Sequence, residues 1–68
     1  MKVEINGTSH ELSDEASVLD ALRAIGLDAE ARGVAVAVGD RVVRRADWAS
    51  ATLEEGARVE VVTAAQGG

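Results

Sequence analysis

Sixty-eight residues make one small domain, because a chain of this size buries only about 60% of its unfolded surface and cannot enclose a deep catalytic cavity. The composition is 47% hydrophobic with one Trp and no Phe, Tyr or Cys, so the core is built from Val, Leu, Ile and Ala, and no disulfide or thiolate of the chain's own is available. A net charge of −5 argues against nucleic acid and suits a basic protein surface, though it is also ordinary for a soluble protein, and the alternating start Met1-Lys2-Val3-Glu4-Ile5 reads as neither signal peptide nor membrane anchor; the expected location is cytoplasmic.

Met1, Val3 and Ile5 alternate with Lys2, Glu4 and Asn6, the period of a half-buried strand. Asn6-Gly7 supplies the positive φ values of a type I′ loop, which predicts a hairpin returning over residues 8–12. That loop sets Ile5 opposite Thr8, Val3 opposite His10 and Met1 opposite Leu12 on one face. His10, with no Cys and no fixed carboxylate beside it, reads as structural rather than as a metal ligand or proton carrier.

Ser17-Val18-Leu19-Asp20 has the pattern of a capping Ser answered by an acidic residue three positions later, so a helix is expected over 17–26. Val18, Leu22 and Ile25 form its apolar stripe, widened by Leu19 and Ala21, and Gly26 stands where a left-handed residue ends a helix. Residues 28–33 have no sustained period and read as a crossing loop with room for one helical turn.

Val34–Val38 is apolar at every position, the pattern of a strand covered on both sides. Gly39-Asp40 fits a II′ loop returning over 41–44, with Val43 opposite Val36 and Val42 opposite Ala37. Residues 45–56 form the longest connection, anchored by Trp48 and Leu53; Trp48 reads as a core plug, the alternative being a platform for ligand stacking. In the last strand, Arg58–Thr63, Val59 and Val61 face inward, while Arg58, Glu60 and Val62 face the other way. The order strand, strand, helix, strand, strand, link, strand gives an α+β fold in which one helix covers one face of a five-stranded mixed sheet. Right-handed crossover places the first and last strands side by side and parallel. Only one face can then be covered, so some apolar side chains of Val34–Val38, together with Val62, should face solvent or a partner.

Beyond a domain of residues 1–62, residues 63–68 read as a flexible tail, Thr-Ala-Ala-Gln-Gly-Gly, ending in the carboxylate of Gly68. Two glycines without Cβ accept backbone angles closed to other residues, so such an end can be threaded into a narrow cleft. A frayed terminus or a cloning remnant would look the same. Residues 63–66 span at most about 13–14 Å when extended.

Three stretches carry a resemblance over nearly the whole chain: residues 33–38 (Gly-Val-Ala-Val-Ala-Val), residues 42–48 (Val-Val-Arg-Arg-Ala-Asp-Trp) and residues 53–68, from Leu53-Glu54-Glu55-Gly56 to Gly67-Gly68. They resemble the ThiS family, ubiquitin-like β-grasp proteins that carry sulfur for thiamine thiazole synthesis. Family members often have Pro where Arg44 stands, and this chain has no Pro. The resemblance implies a protein co-substrate rather than an enzyme. A ThiF-like adenylating enzyme would use MgATP to activate the carboxylate of Gly68, and sulfur from a donor system would displace AMP to leave a thiocarboxylate. A ThiG-like thiazole synthase would then accept the sulfur. Gly67, Gln66, Ala65 and Ala64 would thread the tail into these partners, and Val62 would belong to the docking face. No cofactor or metal bound by this chain is implied. Two other carriers of a Gly-Gly end resemble it less: the small subunit of molybdopterin synthase, and a ubiquitin-like modifier that forms isopeptide bonds. A plain interaction domain using only its sheet face is the third alternative.

Overall fold

The computed structural model of the chain describes residues 1–64. Strands β1 (Lys2–Ile5) and β2 (Thr8–Glu11) form the first hairpin, followed by helix α1 (Val18–Ala24) and a second hairpin, β3 (Val34–Val38) with β4 (Arg41–Val43). A 3₁₀ helix, Arg45–Asp47, opens the link to β5 (Arg58–Thr63). The five strands form one mixed sheet in the order β2-β1-β5-β3-β4, with β1 and β5 adjacent and parallel. This is the arrangement that the right-handed crossover requires.

Both tight turns follow from their residues. Asn6 and Gly7 take φ of 51° and 84°, as a I′ loop demands, and Ile5 pairs with Thr8 and Val3 with His10. At the second loop Gly39 has φ of 60°, which fits a II′ turn, and Val36 pairs with Val43 and Ala37 with Val42. β4 stops at Val43, one residue short of the expected return, because the chain turns at Arg44 into the 3₁₀ helix.

Helix α1 is closed at both ends. Ser17 Oγ accepts from Asp20 N–H at 3.2 Å while Asp20 Oδ2 accepts from Ser17 N–H at 2.8 Å, the reciprocal capping box. The first two helical N–H groups find partners in the link: Val18 donates to Ala51 O and Leu19 to Trp48 O. At the other end Gly26, with φ of 88°, donates to Arg23 O and Leu27 donates to Leu22 O, the paired bonds of a Schellman motif.

Val18, Leu19, Ala21 and Leu22 of the helix pack on Val3 and Ile5 of β1, Val36 of β3, and Val59 and Val61 of β5, with Trp48 and Leu53 completing the core. Trp48 is 2% exposed and its indole N–H donates to Val43 O at 3.0 Å, so it plugs the core and fixes the link to β4. The apolar run Val34–Val38 does not have both sides covered. Val36 is buried and Val34 and Val38 pack against the core, whereas Ala35 is exposed and Ala37 only half-buried, because the single helix occupies the other face. His10 sits half-buried opposite Val3.

Candidate functional site: the outer sheet face and the base of the tail

The face away from the helix follows from register and alternation. Ala35 lies opposite Val62, and Ala37 lies between Val42 and Glu60. With Val36 and Val61 turned into the core, these residues point outward. Val42 is 75% exposed and Val62 is 64% exposed, the two large apolar side chains left in solvent among the described residues. They stand on either side of β3, whose small Ala35 and Ala37 side chains leave a shallow apolar strip between them. The sequence singled out Val62 but not Val42, whose exposure could have been inferred from its pairing with Ala37.

Toward the other end of β5 the face becomes charged. Arg58 Nε lies 3.5 Å from Glu4 Oε2 across the β1–β5 pair, both groups largely exposed, so the contact contributes little to stability. Beside it, Glu4, Asn6, Gly7, Gly39, Asp40, Arg58, Val59 and Glu60 line an open cleft of about 530 Å³. The cleft lies where β5 begins, a strand's length from Thr63 and so apart from the base of the tail. Among the described residues no cluster of three or more His, Cys, Asp or Glu could hold a metal ion, and no helix is long and apolar enough to cross a membrane.

At its far end β5 continues through Thr63, which pairs with Val34, and the N–H of Ala64 donates to Gly33 O at 2.6 Å. The ladder between β3 and β5 therefore runs one bond past the strand, and the base of the tail is tied to the end of the crossing loop. Ala64 is exposed there. Ala65, Gln66, Gly67 and Gly68, to which the sequence assigns threading and reaction, lie outside the described residues.

The crossing loop is itself held. Asp28 Oδ1 accepts from Glu30 N–H at 2.9 Å and Asp28 O accepts from Ala31 N–H, which closes a turn. The guanidinium of Arg45 donates through one nitrogen to Ala29 O and through the other to Ala31 O, and lies 4.6 Å from the centroid of the Trp48 ring. Nothing in the sequence marks Arg45 for this role, because its partners are backbone carbonyls 16 and 14 residues away that carry no side-chain signature.

No curated protein sequence matches the chain. Among solved structures, it is similar to the crystal structure of the thiamine biosynthesis protein ThiS from Geobacter metallireducens, with 26% identity over 100% of both chains and a TM-score of 0.77. The solution structure of a thiamine biosynthesis protein from the same organism aligns with all of this chain and 88% of its own, at 24% identity and a TM-score of 0.77, and supports the fold. The sequence profile of the ThiS family matches residues 3–68, which takes in both hairpins, the helix, the link and the tail. The chain is a β-grasp protein and belongs to the ThiS family, the small sulfur carriers of thiamine biosynthesis.

Proposed function

We propose that the chain is a cytoplasmic carrier whose reactive group is the carboxylate of Gly68. A carboxylate is a poor acyl donor, so it is first activated: in a ThiF-like partner one of its oxygens attacks the α-phosphorus of MgATP and pyrophosphate leaves. Hydrosulfide supplied by the donor system then attacks the acyl carbon; the C–S bond forms, the bond to the AMP oxygen breaks, AMP leaves, and a thiocarboxylate remains. A ThiG-like thiazole synthase takes the sulfur, and water restores the carboxylate. The carrier catalyses none of these steps. Its contributions are a body that docks, through Val62 and its neighbours on the outer face, and a tail of Ala64, Ala65, Gln66 and Gly67 with no bulky or charged side chain to obstruct a narrow entrance.

The observation that carries this reading is the family match extending to residue 68, on a chain with no Cys that must bear sulfur elsewhere than on a thiol. Intact mass after incubation with a ThiF-like enzyme, MgATP and a sulfur donor tests it. The expected product is heavier by the difference between sulfur and oxygen; conjugates to lysines would indicate a modifier instead, and an unchanged mass a simple binding module. Removing Gly68, or adding one residue after it, is expected to abolish both ATP–pyrophosphate exchange and the mass change with an unaltered thermal midpoint. A Gly68-deleted chain charged at the normal rate would overturn the assignment.

A further inference from the structure

The tail begins at a point fixed by contacts that start in the core. Trp48 is immobilised by burial and by its bond to Val43 O. Its ring supports the guanidinium of Arg45, which bonds to the carbonyls of Ala29 and Ala31. Two residues further on, Gly33, at φ of 67°, turns its carbonyl to the N–H of Ala64. Planarity matters here: a guanidinium can lie over an aromatic ring while its two terminal nitrogens reach two acceptors, which an ammonium cannot do.

We propose that Arg45 is a positioning residue for the tail: by holding the crossing loop through Ala29 and Ala31, it fixes Gly33 and so the direction in which the chain leaves the sheet at Ala64. Reach gives this its importance. Residues 65–68 span at most roughly 13–14 Å when fully extended, so a tether this short cannot make up for a displaced origin. Among the described residues the bond at Ala64 is the last of the β3–β5 ladder, beyond the Thr63–Val34 pair, and the loop that presents its acceptor carries no regular structure of its own. This proposal rests on the terminal carboxylate being the reactive group, but its first readout does not depend on that.

The test compares amide hydrogen exchange and charging in wild type, Arg45→Ala and Arg45→Gln, the second retaining a polar side chain should the first be too unstable. In both variants the Ala64 amide is expected to exchange at least about tenfold faster, beyond any change at Val36 and Val61, which report global opening. With the ThiF-like enzyme and MgATP, KM for the carrier is expected to rise several-fold while kcat changes little, since a misdirected tail enters the cleft less often but reacts normally once inside. Exchange at Ala64 that moves only in step with Val61 would overturn the proposal and leave Arg45 as a stabilising contact. Faster Ala64 exchange with wild-type charging would likewise overturn the claim that this contact directs the tail. A wild-type chain that is never charged would instead refute the terminal carboxylate, while the exchange result would still decide whether Arg45 holds the tail base.

Discussion

The carboxamide of Asn6 bonds to both polar groups of the Val61 peptide: its Oδ1 accepts from Val61 N–H at 2.8 Å and its Nδ2 donates to Val61 O at 3.1 Å. A side chain from the first turn thus does what another strand residue would do, continuing the β1–β5 pairing after β1 has turned away. Asn is suited to the position twice over, since it tolerates a φ of 51° and its amide reproduces the donor and acceptor of a peptide.

Asn6→Gly keeps the turn conformation and removes the bridge, leaving a half-buried N–H and C=O without partners. Loss of about 1–3 kcal/mol in urea unfolding is expected. Asn6→Ala should cost more, because it adds a left-handed residue with a Cβ and no compensating bond. Equal stability of wild type and Asn6→Gly would show that the bridge contributes nothing.

Trp48→Ala removes the largest side chain of the core and should destabilise by roughly 3–5 kcal/mol, close to the whole stability of a domain this small. Trp48→Phe retains most of the apolar volume but not the donor to Val43 O, and should lie between the two. A Trp48→Ala chain with a normal thermal midpoint that fails only to bind partners would make Trp48 a contact residue.

Val62→Asp and Val42→Asp place a charge on the outer face, where each side chain already meets solvent. Unfolding free energy should change by no more than about 1 kcal/mol, the span of strand propensities. Affinity for the activating enzyme, measured by titration calorimetry, should fall at least tenfold, about 1.4 kcal/mol, as an unpaired charge enters an apolar interface. Unaltered affinity in both variants would remove this face from the docking surface.

The N-terminal ammonium of Met1 donates to Leu12 O at 2.6 Å and to Asp14 Oδ1 at 3.1 Å, and lies 3.3 Å from Glu11 Oε2. The Asp14 bond is the main cause of a pKa raised above the usual 8.0; burial opposes it, and Glu11 adds to it. A group whose pKa is higher folded than unfolded lends stability that is complete below the unfolded value and is lost as pH rises through the folded one. The urea midpoint should therefore decline from about pH 8 upward. Asp14→Asn should flatten that decline, and identical profiles for the two proteins would exclude the contact as its source.

Much of the fold is written in short-range residue choices. Asn6-Gly7 and Gly39-Asp40 determine their hairpins because loop length and positive φ leave one register each, and Ser17 with Asp20 marks the helix start because both halves of the cap lie within one turn. Val59 and Val61 inward and Val62 outward follow from period alone. What the sequence conceals are bonds from side chains to distant backbone. Asn6 reaches a residue 55 positions away, and Arg45 finds carbonyls that any residue type would present. The link was legible as a connection but not as the cover of the helix start, a task performed by the carbonyls of Trp48 and Ala51. At the candidate site the outward Val62 was legible, whereas the tie between Ala64 and Gly33 depends on the register of two strands far apart in the chain.

Strand β5 stands between β1 and β3, and within the sheet nothing else joins the two hairpins. A chain lacking β5 would hold two unattached hairpins and a helix without Val59 and Val61 beneath it, so the core closes only when β5 is present. The outer face has the same dependence: Val42 comes from the second hairpin, but Val62 arrives only with the final strand. The apolar outer face, Val42 on one side of β3 and Val62 on the other, is therefore whole only in a body whose fifth strand is already in place.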